Sequence, residues 1–385
     1  MSAARLRLFI GICLITRVTA GAGDDFSNNL FSDLAPLLAL FGERVTMQFM
    51  SQSMGWADNI TLAMAPLGII TAVVGAIRVG GPSWLKAIIG RARESHAVAE
   101  AELMSSTSNE VCELWNGQQI VRVMGKGPIC EFIILLPEEE QAGESSYGKQ
   151  PRRDQQIPER SVFVVRNGAD TTDTAAKAPN LTLNVHDSLG RGELYVVAVF
   201  GVILQLGVLV YSGFATYHSA FNSSKDVNPV AGYAYPCTAV GTLLLVTGVL
   251  LCSHVVENST EEATYFPKPA RKAHLVWLQR SGTVNDQAFG SFAIFPQHAQ
   301  VLVKTSQRAS TRGISHRGGT RESICGYIVQ FTGLRGMHWS ASVAQLGATI
   351  LMTILRAWVR RNLAGRPRAL PIVSGHELDW LAMTF

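Results

Sequence analysis

Apolar positions along this chain gather into a few long uncharged runs, separated by polar stretches with mixed periodicity. Three runs are Ile60–Ile77, Leu194–Tyr217 and Tyr233–Cys252. Each meets or approaches the roughly 20 apolar residues that cross the hydrocarbon core of a bilayer. Pro66 and Pro236 fall inside two of them, a position that neighbouring helices of a bundle tolerate. A fourth, shorter run, Ser340–Leu355, is flanked by Trp339 and Trp358, where an interfacial aromatic belt would sit. The pattern predicts a mainly α, multi-pass helical membrane protein with three to four transmembrane helices and mixed α/β cytosolic loops.

Between the runs the periodicity changes. Residues 26–56 carry Leu34, Leu37, Leu38, Phe41, Val45 and Phe49 at helical spacing, so the segment 21–59 reads as an amphipathic helix on the membrane surface or packed on the bundle. Before it, Arg5 and Arg7, the apolar run Leu8–Ile15 and the small residues ending at Ala20 form a signal-peptide pattern over residues 1–20. A helix is expected over Pro82–Leu103, with Pro82 near its start. Two β-rich runs follow, Gln119–Met124 and Ile129–Leu136, joined by a hairpin-like turn at Gly125-Lys126-Gly127-Pro128. Residues 138–180 read as a polar linker, and His274–Gln279 as a strand.

Composition narrows the classes. Charged residues make up 16% and hydrophobic ones 47%, with a mean hydropathy of +0.18. A disordered chain is excluded. The net charge of +4 excludes a nucleic-acid partner engaged through excess charge. Six cysteines are too few for a disulfide scaffold, and none forms a CxxC pair. The nine histidines include no HExxH. No catalytic constellation, cofactor site or metal site is expected, and Gly125-Lys126-Gly127 lacks the spacing of a phosphate loop.

Loop charges suggest an orientation. Arg78, Lys86, Arg91 and Arg93 follow the first run, which places loop 78–193 in the cytosol and the N-terminus outside. Loop 218–232 has only Lys225 and suits the outside; loop 253–339 is basic and suits the cytosol. A fourth span would then carry Arg356, Arg360, Arg361, Arg366 and Arg368 outward, against the rule. Asn59 and Asn222 are the candidate glycosylation sites, one abutting a span and the other in a short outer loop. Lys304, Arg308, Arg312, Arg317 and Arg321 form a candidate anionic-lipid contact. Gln205 and Gln345 are polar residues within spans, expected to hydrogen-bond between helices. Small residues at Gly68/Ala72/Ala76 and Ala344/Ala348 are helix-packing faces, available to other membrane proteins.

The strings NNLFSDLAPLLALFGERVTMQFMSQSMGWADNITLAMAPLGIITAVVGAIRV, RARESHAVAEAELMSSTSNEVCELWNGQQIVRVMG, GLRGMHWSASVAQLGATILMTILRAWVRR and GHELDWLA resemble those of an uncharacterised family of fungal multi-pass membrane proteins. Some members of that family are described as having ankyrin repeats, but no T-P-L-H-x-A repeat occurs here. Relatives continue past the ELDWLA string, so the resemblance implies a short or truncated member. It implies a membrane location and, by lineage, attachment to a fungal specialised-metabolite pathway, and supplies no catalytic residue; the secretory pathway is implied by the leader pattern at residues 1–20. The expected role is a non-enzymatic scaffold, receptor or accessory component in the lipid bilayer, with a small-molecule transporter as the alternative.

Overall fold

A computed structural model of the chain describes residues 40–137, 162–167, 178–185, 191–217, 232–265, 271–297, 303–309, 317–361 and 365–384, apart from 41, 54 and 338. The expected leader, most of the 138–180 linker and residues 218–231 lie outside the described residues. Five short helices open the described chain: α1 (Glu43–Met50), α2 (Trp56–Ala63), α3 (Ile69–Gly80), α4 (Ser83–Ile88) and α5 (His96–Leu103). Strands β1 (Val111–Trp115), β2 (Ile120–Met124), β3 (Ile129–Pro137) and β4 (Val162–Asn167) follow, then the long helices α6 (Arg191–Tyr217) and α7 (Ala234–Glu257). Next come β5 (Thr260–Tyr265), β6 (Arg271–Gln279), β7 (Gly282–Val284), β8 (Gln287–Phe289), β9 (Phe292–Phe295) and β10 (Val303–Arg308). The chain then runs through α8 (Arg317–Arg335), α9 (Trp339–Val359), β11 (Arg368–Pro371) and α10 (Glu377–Thr384).

The first expected span is not one helix. Helix α2 stops at Ala63, and α3 starts at Ile69. The break follows from Met64-Ala65-Pro66-Leu67-Gly68. Pro66 has no N–H to continue the ladder and pushes the residue before it out of helical backbone; Ala65 takes φ 46° and Gly68 φ 70°. Gly68 is also a close approach, since a Cβ there would lie 2.3 Å from Thr46 Oγ1, and that hydroxyl donates to the Leu67 carbonyl at 2.8 Å. The expected helix Pro82–Leu103 is likewise divided: Gly90, at φ 74°, ends α4, and α5 restarts after Ser95.

Helices α6, α7, α8 and α9 form an antiparallel bundle. Three of them, over Gly192–Tyr217, Ala234–Glu257 and Ser340–Val359, are long and apolar enough to cross a membrane. Helix α8, which lies in the expected basic loop, runs antiparallel along α7 at very short range. Glycines make this possible. A Cβ on Gly326 would sit 2.3 Å from Leu245 N, on Gly333 2.4 Å from Thr238 N, and on Gly319 2.8 Å from Leu251 Cβ. From the other side, a Cβ on Gly241 would sit 2.2 Å from Gln330 N and one on Gly248 2.3 Å from Ser323 N. Both sets repeat every seven residues, about two helical turns, so each stays on one face. The pairing of α6 with α9 is antiparallel too: Gly201 faces Met352, and Gln205 Nε2 donates to Gln345 Oε1 at 3.2 Å, joining these two residues across helices. The small residues Ala72, Ala76 and Ala348 are buried inside the chain, so these positions pack within it.

The strands gather beyond one end of the bundle. The main sheet is antiparallel throughout, in the order β11-β9-β6-β3-β4. Strand β4 falls inside the stretch expected to be linker. The expected hairpin between Gln119–Met124 and Ile129–Leu136 does not form; β2 pairs instead with β1. Asn116 explains the choice, because its Oδ1 accepts from the N–H groups of Gln118 and Gln119 at 2.9 and 2.8 Å, with Gly117 at φ 95° closing the turn. Gln279 ties this hairpin to the sheet: its side-chain amide exchanges two 2.8 Å bonds with the Trp115 backbone, as a neighbouring strand would.

Replacing Gly326 by Ala forces α7 and α8 apart and is expected to cost about 1–3 kcal/mol. Gly347→Ala, at a helical site with no heavy atom within 4 Å, is expected to be neutral or to gain up to roughly 1 kcal/mol. Thermal unfolding of the two variants in detergent micelles checks the contrast; equal midpoints would refute the close-packed glycine seam.

Candidate functional site

The densest polar cluster lies where the broken segment meets the bundle end nearest the strands. Helix α2 ends abruptly, so its last carbonyls have no intrahelical partners. Arg356 of α9 supplies them. Its side chain is 2% exposed; Nε donates to Thr61 O at 3.0 Å, and Nη2 to Leu62 O at 3.0 Å, Met64 O at 2.5 Å and Ala65 O at 3.3 Å. A guanidinium suits this task, with several donors in one plane and a charge that complements a helix C-terminus. One turn on, Arg360 Nη2 donates to Asp58 Oδ1 at 2.7 Å and to Gln52 O at 2.9 Å, with its guanidinium 4.6 Å from the Phe49 ring centroid.

Asn59 continues the cluster toward α7. Its Nδ2 donates to Glu257 Oε2 at 2.5 Å, and Ser253 Oγ donates to its Oδ1 at 2.6 Å. Trp56 stacks on His254 with ring centroids 4.5 Å apart. Asn59 is fully buried, so in this fold the candidate glycan acceptor is a helix-to-helix tie with no room for a sugar. Asn222 lies outside the described residues.

A second cluster joins α5 to the strands. Arg122 Nη1 donates to Glu113 Oε1 at 2.7 Å, while its guanidinium also reaches the carbonyls of Ala101, Ser105, Glu100 and Ser106. Glu100, fully buried, accepts from Ser106 and Ser108 and pairs with Arg308 at 3.1 Å. Burial pushes the Glu100 carboxyl up, more than those two hydroxyls and the charges of Arg308 and Arg122 bring it down. Burial lowers the pKa of Arg78, but hydrogen bonds and charge from Glu94 and Glu102 outweigh it, so the net shift is upward. Burial, and then Glu113, pushes the Cys112 thiol up to about 12, so it stays protonated and is no thiolate nucleophile.

Of the five cations expected to form one lipid patch, four lie among the described residues. Lys304 and Arg308 belong to β10, paired with β5. Arg308 is held by Glu100 and Glu110. Arg312 lies outside the described residues, and Arg317 and Arg321 begin α8. Sequence reasoning missed the role of Arg356, which read as one of five tail arginines, and missed α8 altogether. The seven-residue spacing of Gly319, Gly326 and Gly333, matched by Gly241 and Gly248, was the available signal.

Among the described residues no group of three or more His, Cys, Asp or Glu side chains is arranged to hold a metal ion. The arrangement at Arg356 fixes a helix break against a bundle. No family model, characterised protein or solved structure matches the chain.

Arg356→Ala removes the partners of several buried carbonyls and is expected to destabilise the fold by on the order of 3 kcal/mol. Arg361→Ala, which loses an exposed pair with Glu193 at 3.2 Å, should cost less than about 1 kcal/mol. Hydrogen exchange over residues 56–68 gives the local check: Arg356→Ala should release protection there and Arg361→Ala should not.

Proposed function

We propose that this chain is an integral membrane protein acting as a non-enzymatic scaffold or accessory component, in which the helical bundle is the anchor and the strand-rich part is a cytosolic platform. The observation that carries the reading is a belt of exposed apolar side chains between two rings of aromatic ones. Val196, Val199, Ile203, Leu206 and Val210 of α6, Val240 and Leu243 of α7, Ile324 and Ile328 of α8, and Ile350 and Ile354 of α9 are all exposed. Exposed Tyr195, Trp56 and Trp358 flank the belt at the strand end, and Tyr217 and Tyr233 at the other. Tyr195 and Tyr217 are 22 residues apart on one helix, about 33 Å at 1.5 Å per residue, against a hydrocarbon core of about 30 Å.

Helix α8 belongs in the same layer. The glycine seam holds Ser323 level with Gly248 and Gly333 level with Thr238, and its uncharged middle, Ser323–Leu334, carries the exposed Ile324 and Ile328. Arg321 and Arg335 lie near its ends, where long basic side chains snorkel to headgroups. Four crossings by α6, α7, α8 and α9 return the chain to the side on which it entered. The basic segments around 78–93, 253–316 and 356–368 then share one face, and the short connections at 218–232 and 336–338, with only Lys225, share the other. This satisfies the positive-inside rule with the strand-rich part in the cytosol, and removes the conflict over the tail arginines. The resemblance to fungal multi-pass membrane proteins agrees with it.

A transporter is the second reading, favoured by one observation. The buried Oγ atoms of Ser212 and Ser342 and the Oε1 of Gln205 lack a hydrogen-bond partner, and all belong to the paired helices α6 and α9. The two readings part in one experiment: purification of the full chain from native membranes, with identification of what stays bound. The scaffold reading expects protein partners, retained when Gln205 and Gln345 are both changed to Leu. A small molecule bound one-to-one and lost in that double variant would instead support transport.

A further inference from the structure

We propose that α4 and the turn after it form a contact site for anionic phospholipid headgroups in the leaflet next to the strand-rich part; this rests on the membrane reading above. The helix has two faces. Leu85 and the following Ile89 pack on Val73, Ala76 and Ile77 of α3 and on Cys252 and Val255 in the last turns of α7. Trp84 and Ile88, four residues apart and therefore on one side, are 56% and 72% exposed. Trp84 is thus held beside the end of α7, where Trp56 stacks on His254 and the aromatic ring of the bundle lies. An exposed Trp and Ile on a helix packed against the last turns of α7 match the headgroup boundary, where an indole is favoured.

Charge completes the match. Gly90 turns the chain back, with Arg91 N donating to Lys86 O at 2.7 Å, and Arg91 and Arg93 both follow as exposed residues. Glu94 lies 3.6 Å from Arg91, but its carboxylate is bound at 2.5 Å by the buried Arg78, which Glu102 also pairs at 2.7 Å. Arg78, Arg91 and Arg93 set against Glu94 and Glu102 leave one net positive charge, with the exposed Arg91 and Arg93 beside an apolar pair, a composition that draws phosphatidylserine-type lipids to a membrane surface.

The test uses the full chain in nanodiscs of equal phosphatidylcholine and phosphatidylserine. A photoreactive benzoyl-phenylalanine replaces Ile88, or Val199 of the exposed α6 face as reference. Both positions should crosslink phospholipid. At 88 the phosphatidylserine adduct should exceed the phosphatidylcholine adduct by roughly threefold or more, and Arg91→Gln with Arg93→Gln should bring the ratio near one. Lipid adducts at 199 with none at 88, or equal shares of the two lipids at 88, would overturn this site and leave the membrane reading intact. An absence of adducts at 199 would overturn both.

Discussion

The approach of α7 to α8 without intervening side chains is the constraint on which the rest depends. With hydrogen at Gly241, Gly248, Gly319, Gly326 and Gly333, one backbone rests directly on the other, and dispersion between closely packed helices replaces the hydrophobic drive that lipid tails do not provide. Small residues at a single four-residue spacing allow one such contact; here the seven-residue repeat extends it along the whole of α8. That length gives a helix with a polar start the same level as its apolar neighbour. An even number of crossings follows in our reading, and with it one face for all the strands.

Arg356 performs the complementary task at the end of the bundle. A buried arginine on an apolar helix is expensive to desolvate, and the carbonyls at the broken end of α2 would be costly to bury unpaired. Bringing them together offsets both costs and locks the segment 56–80 to α9. Arg360 over the Phe49 ring, and Asn59 with Ser253 and Glu257, extend the lock to α1 and α7. Most polar groups here are paired with one another, and Arg360 Nε is buried without a hydrogen-bond partner.

Much of this was legible in the residues, and the misses have physical causes. The uncharged runs at 194–217 and 233–252 are helices because length and hydropathy suffice there. The run 60–77 has the same hydropathy, but Ala65-Pro66 and Gly68 impose local backbone that no average over the window registers. The strand at Ile129–Leu136 was visible from its β-branched content, whereas its partner was not: Asn116-Gly117 turned β2 back on β1, and β6, more than a hundred residues later, took the place beside β3. Helix α8 was hidden because a seam made of glycines has low hydropathy and low helix propensity, and is stabilised by the neighbour it fits. Asn59 and Arg308 looked available in the sequence and are consumed by partners nearly two hundred or more residues away in the chain.

The number of crossings between Arg191 and Arg361 is the central quantity, and protease protection in sealed microsomes measures it most directly. One epitope tag follows Phe385 and a second is inserted in the 218–231 connection of the full chain. Four crossings with a cytosolic strand-rich part predict that external protease removes the tag after Phe385 and spares the inserted one until the membrane is opened. Protection of both tags, which requires an even number of crossings between them, as when α8 does not cross, would contradict the account.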